Sequence, residues 1–215
     1  HKNVLERVAP GVFAIYSSPA FGINQRAHLL QRPEGNILWD CITNLDESTI
    51  ELINSLGGIS AIALSHPHYF STIIEWAEAF DAPVYINAKD AQWLTRSSHT
   101  LRFWEDKEQL GDDVTLIECG GHFPGASVLH WSNGEGALFA GDTIQVTPTR
   151  RTVSFMYSYP NMIPLRKRDI EDIMTAIAPF SYEDIYGAFG LYIRGGAREA
   201  VRLSAARYLE IFNED

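Results

Sequence analysis

The chain predicts an α/β fold in which one sheet packs on another and helices cover the outside. Three observations carry that expectation: an opening run of short strands, a strand–helix alternation after it, and a second β-rich block trailed by two amphipathic helices.

Gly11 to Tyr16 reads as a strand, and Ala27 to Leu30 and Asn36 to Trp39 read as two more around the turn-like Arg32-Pro33-Glu34-Gly35. Ser48 to Leu56 places Ile50, Leu52, Ile53 and Leu56 at helical spacing, and Gly57-Gly58 stops it. Ile59 to Leu64 is a short buried strand that delivers Ser65-His66-Pro67-His68 at its C-terminal end, where open α/β sheets place their chemistry. Thr72-Ile73-Ile74-Glu75 fits a capping box, so a helix runs from Thr72 to about Phe80 with Ile73, Trp76, Ala77 and Phe80 inward. Pro83 to Ile86 is a strand and Ala88 to Leu94 a helix. Val114 to Cys119, Val128 to Trp131 and Ala137 to Ala140 are strands, as is Asp184 to Tyr186, between helices over Arg166 to Ile177 and Ala197 to Phe212. No linker or short-period repeat interrupts the 215 residues, so one domain over 1–215 is the economical count.

Composition restricts the function classes. A formal net charge of −10 argues against a sequence-independent grip on phosphate backbones, so nucleic acid is not an expected partner. The basic run Arg166-Lys167-Arg168 meets Glu171 and Asp172 at i,i+4 spacing, the pattern of a solvated helix face. Two cysteines, Cys41 and Cys119, without C-x-x-C, build neither a disulfide framework nor a cysteine zinc site. No apolar run reaches the roughly 18 to 20 residues that span a bilayer, and His1 to Pro10 lacks a signal-peptide pattern. A reduced, cytoplasmic setting and a small-molecule substrate, with no membrane partner, are therefore expected; the oligomeric state is left open.

Two imidazoles two residues apart, His66 and His68, suit a metal edge, because i and i+2 share a side in extended backbone and Pro67 biases His66 toward that geometry. His122 ends a strand in Gly120-Gly121-His122-Phe123-Pro124-Gly125, and Asp142 ends another in Ala140-Gly141-Asp142-Thr143. Each alone has an ordinary explanation, a loop histidine bonded to backbone or an aspartate capping a turn. Four metal-competent groups each just past a strand favour one site. Three histidines and a carboxylate suit zinc with an open position, and water on such an ion has a pKa near roughly 7. Ser71 beside Thr72 reads as helix-start chemistry, and no G-x-S-x-G elbow is present. His28, His130 and His99 are weaker candidates, and Phe70, Phe155, Tyr157, Tyr159, Phe189 and Tyr192 read first as packing.

With these residues in place, the chain resembles the metallo-β-lactamase superfamily of metallo-hydrolases over nearly its whole length. The family's H-x-H-x-D-H falls on His66 to Ser71, its isolated histidine on His122 and its bridging aspartate on Asp142. The resemblance implies an αββα sandwich of two mixed β-sheets with outer helices, and hydrolysis as the commonest activity. The departures are as informative. Phe70 and Ser71 stand where the family has Asp and His, and Gly187-Ala188-Phe189-Gly190 lacks the last family histidine. By resemblance these groups belong to the second metal position, while His66, His68 and His122 belong to the first. Phenylalanine, serine and alanine cannot replace those donors, so one divalent ion is expected, zinc first and iron second. Asp142 is then the fourth ligand or a group that hydrogen-bonds the water, and the general base is Asp142, a group from elsewhere or the substrate itself. The leading expectation is a one-metal hydrolase of a small ester, thioester or amide. The alternatives are a mononuclear iron oxygenase or redox protein, and a non-catalytic descendant of the fold that binds metal or ligand.

Overall fold

The structure is a computed structural model that describes residues 1–159 and 161–212. The chain forms two compact units, His1–Trp104 and Glu105–Asp215. The first holds a seven-stranded sheet: β1 (Lys2–Ala9), β2 (Val12–Ser18), β3 (Ala27–Leu30), β4 (Ile37–Trp39), β5 (Ala61–Ala63), β6 (Val84–Asn87) and β7 (Leu101–Trp104) lie in sequence order. β1 to β4 pair antiparallel and β4 to β7 parallel, so the sheet is mixed. The change of direction follows from the connections. Short turns join the early strands, whereas α1 (Glu47–Ser55) and α2 (Ile73–Phe80) supply the crossovers that parallel neighbours need.

Asp46 caps α1, its carboxylate accepting from Thr49 N at 2.8 Å and from Thr49 Oγ1 at 2.6 Å. α2 buries Ile73, Trp76 and Ala77, each large side chain contributing about 2–3 kcal/mol of apolar burial; Phe80 is half-buried. The capping box expected at Thr72 does not form. Thr72 Oγ1 donates instead to Ile42 O at 3.1 Å, and Glu75 is held by a two-point Arg96 contact at 2.6 and 2.9 Å. Ala88 to Leu94 is a 3₁₀ segment, Ala88–Trp93, rather than an α-helix.

In the second unit β8 (Lys107–Gln109), β9 (Val114–Glu118), β10 (Ser127–Trp131), β11 (Ala137–Gly141), β16 (Asp184–Gly187) and β17 (Tyr192–Arg194) form a six-stranded sheet in the order β17-β16-β11-β10-β9-β8. Only the β11–β16 pair among these is parallel. Two short ladders precede the helices, β12 (Gln145–Val146) with β13 (Val153–Ser154), and β14 (Met156–Ser158) with β15 (Ile163–Pro164). Ile117, Val128, Leu138 and Ile185 from the sheet share a core with Ile170, Ile173 and Ile177 of α3 (Lys167–Ile177) and Val201 and Ala205 of α4 (Ala197–Ile211). The α3 isoleucines recur at i, i+3 and i+7, one helical stripe. Arg168 and Asp172 pair on its exposed side at 3.7 Å, as the charge spacing predicts. Among the described residues no helix is long and apolar enough to cross a membrane.

Candidate metal centre

In the first unit the chain leaves β5 through Leu64, whose N donates to Tyr85 O at 3.1 Å, and reaches Ser65 and His66, both buried. Parallel pairing of Trp39 with Ala63 puts the residue after β4, Asp40, beside the residues after β5. Asp40 takes a positive φ of 62°, a conformation that aspartate tolerates better than most residues. Its carboxylate accepts from Ser65 N at 2.7 Å and from Ser65 Oγ at 3.0 Å. A hydroxyl has one proton. Ser65 Oγ, having donated to Asp40, therefore accepts from His66 Nδ1 at 2.9 Å, and the Nε2 of His66 is left with its lone pair outward.

His66 Nε2 lies 3.1 Å from His68 Nδ1, with the rings edge to face at 4.9 Å. The pair meets by a different route from the extended one. His66 is extended (φ −173°, ψ 171°), but Pro67 opens a 3₁₀ turn over Pro67–Tyr69 that carries His68. Proline serves here at the first turn position, where its missing N–H costs nothing. His66 is buried and His68 exposed, so the two offer one sheltered and one accessible nitrogen.

In the second unit the loop after β9 is drawn tight by Cys119 N and Gly120 N, both donating to Ala126 O at 2.9 Å. Gly121 has φ +85°, strained for any L side chain, and a Cβ there would lie 2.8 Å from Leu165 Cδ1 and displace that methyl. His122 follows, buried between Phe123 and Tyr159, whose rings lie 5.3 and 5.7 Å from its own. Its Nδ1 faces the carbonyls of Met156 at 3.2 Å and Tyr157 at 3.0 Å. Carbonyls only accept, so Nδ1 carries the proton and Nε2 is the nitrogen that keeps its lone pair. Nε2 stands 3.8 Å from Oδ2 of Asp142, which is buried just past β11.

These arrangements fit a metal. Donor atoms of one tetrahedral ion with bonds of about 2.0–2.2 Å lie about 3.4 Å apart, and the separations of 3.1 and 3.8 Å bracket that value. Second-sphere acceptors fix the tautomers of His66 and His122 with Nε2 available. The chain thus carries a His/Asp set of four metal-competent groups, two in each unit.

The remaining histidines serve elsewhere. His28 is buried in β3, where burial lowers its pKa to about 3. His130 faces Ser181 O at 2.8 Å, and burial lowers its pKa. His99 is exposed. Phe155 is core, against Tyr208, whereas Tyr157 is exposed. Both thiols are buried, which raises Cys41 well above the usual thiol value and Cys119 to about 12. Asp40 and Ser65, which orient His66, are residues that motif spacing alone passes over. The signal for Asp40 is positional: it follows a buried strand that must neighbour β5 if the crossover helix is real.

Residues 22–189 match the family model of the metallo-beta-lactamase superfamily. The uncharacterized protein YmaE of Bacillus subtilis (strain 168) is 46% identical over 218 residues, covering 100% of this chain and 80% of that protein. Among solved structures, the DIM-1 metallo-beta-lactamase superposes with a TM-score of 0.71 at 13% identity, over 96% of each chain. TTHA1623, solved in a di-iron-bound form, superposes with a TM-score of 0.65 at 20% identity, over 87% of this chain and 96% of that one. The structural likenesses establish the fold, two mixed sheets with helices.

Proposed function

Because the chain belongs to the metallo-β-lactamase superfamily, we propose that it is a hydrolase that uses one divalent ion, zinc in the first instance, to cleave a small ester, thioester or amide. The observation that carries this reading is the donor set itself: three imidazoles and one carboxylate, with two of the imidazoles locked in the ligating tautomer. His66, His68 and His122 are the nitrogen donors, and Asp142 stands as the carboxylate of the set. A divalent ion with three nitrogen donors supplies Lewis acidity and acidifies water toward about pH 7.

The protein's own groups do the rest. Asp142 accepts the proton of the attacking water at a carboxylate oxygen, because Phe70 and Ser71 leave no acid–base carboxylate in the first motif. Water adds to the carbonyl carbon, the bond to the alkoxide, thiolate or amine breaks, and the leaving group departs with the proton that Asp142 took up. Exposed His68 gives the substrate its side of approach, while buried His66 and His122 anchor the ion.

Purified protein prepared in metal-replete medium is expected to hold about one ion per chain by elemental analysis, and to hydrolyse members of a panel of aryl esters and acyl thioesters. His68→Ala should lose both. Asp142→Asn should keep most of the metal and lose about 10²-fold or more in kcat. Absence of stoichiometric metal, or activity indifferent to His68→Ala, overturns the reading. Iron is the second occupant to test, since the N/O donors do not select against it and one structural neighbour is described in a di-iron-bound form. Iron occupancy with oxygen uptake and no hydrolysis would replace the hydrolase by a redox function.

A further inference from the structure

A cavity in the second unit is lined by none of the His/Asp set. Between the β12–β13 ladder and α4 is a cavity of about 510 Å³, within the range of about 300–1,000 Å³ typical of small-molecule sites. Its α4 wall follows the helical repeat: Ala200, Leu203, Ser204, Arg207, Tyr208 and Ile211 fall at i, i+3, i+4, i+7, i+8 and i+11. Such a face is ordinarily covered. Here Leu203 remains 54% and Ile211 66% exposed, beside a ladder of two-residue strands.

The charge around this apolar surface is one-sided. Among the described residues, Arg151 and Arg207 are the charged residues of the lining, which contains neither aspartate nor glutamate, in a chain whose net charge is −10. Neither guanidinium makes an ion pair or hydrogen bond among the described residues. Elsewhere on the same helix the cation is matched, Arg202 bonding Glu199 at 2.6 Å. The hydroxyls of the lining are largely spent: Thr147 and Thr152 on each other at 2.8 Å, and Ser204 between Val153 N and Ala200 O at 3.0 and 2.7 Å. What remains open is an apolar wall with two guanidiniums that no described residue pairs, a complement to one anionic head on one apolar body.

We propose that this cavity binds a monomeric medium-chain alkyl carboxylate, its tail against Val153, Leu203, Tyr208 and Ile211 and its head between Arg151 and Arg207. The arginine fork matches a carboxylate in two-point geometry, and the volume suits a chain of about ten carbons. None of the four metal-competent residues lines the cavity, so the proposal stands whether or not the hydrolase reading does.

The test is calorimetric titration of the full chain with decanoate, kept below micelle formation, and with the shorter pair octanoate and 1-octanol. Saturable binding of about one decanoate per chain is expected, with octanol weaker than octanoate. R151E/R207E should weaken decanoate binding about tenfold or more while leaving metal content and circular dichroism unchanged; R151Q/R207Q serves if the charge reversal perturbs folding. Leu203→Asp should weaken it independently. No saturable binding overturns the proposal, and so does equal affinity for octanol or indifference to both arginine variants. Binding to anionic vesicles without binding to monomeric decanoate also overturns it, and assigns the face to a membrane surface.

Discussion

Ser65 has a single proton, and its place on Asp40 obliges the serine oxygen to accept from His66. That one hydroxyl selects which imidazole nitrogen points toward His68. Ser65→Ala removes the acceptor without changing the strand, so divalent-ion affinity should fall about tenfold, measured by competition with a chromogenic chelator. Unchanged affinity would show that the tautomer is set by something else. His28 tests burial rather than ligation. Its pKa of about 3 means that the folded protein keeps the ring neutral, while the unfolded chain takes up a proton below about pH 6.5. Stability from this group is therefore complete above pH 6.5 and declines by about 1.4 kcal/mol per pH unit as pH falls toward 3. In urea titrations between pH 6 and 4, His28→Phe should show a slope shallower by that amount; parallel slopes would sink the assignment.

At the scale of elements, the loop from β9 to His122 is the part whose shape the site most requires. Gly121→Ala would combine a left-handed backbone with a contact on Leu165, costing about 1–3 kcal/mol. The expected outcome is a lower melting temperature together with weaker metal retention, because His122 is the next residue. The strands that precede donors were legible in the sequence because each is a short run of buried apolar residues stopped by glycine, serine or a carboxylate. β1 was not: its burial is half-exposed along the whole length, so neither alternation nor an apolar run marks it. β8, Lys-Glu-Gln, is polar and is recognisable only through its partner β9. The capping box at Thr72 fails for a reason that local sequence does not carry, namely Arg96 claiming Glu75 from twenty-one residues away. His68 meets His66 as the spacing predicts but by another geometry, since Pro67 is compatible with both an extended strand end and the first position of a 3₁₀ turn.

For the molecule as a whole, the decisive property is that each unit carries only two of the four donors. Two donors alone hold a divalent ion weakly, and tight binding needs three or four. If one ion draws on all four, it must stabilise the native chain as a whole: at about 100 times its dissociation constant it adds about 2.7 kcal/mol. For a chain of this size that corresponds to a melting temperature about 5–10 °C higher than after chelation. His66→Ala in one unit and His122→Ala in the other each leave three donors, so each should lower that shift, and the double variant, left with His68 and Asp142, should abolish it. A shift that the double variant retains would remove both imidazoles from the donor set. A shift retained in His122→Ala alone would confine the ion to the first unit and remove His122 from the donor set.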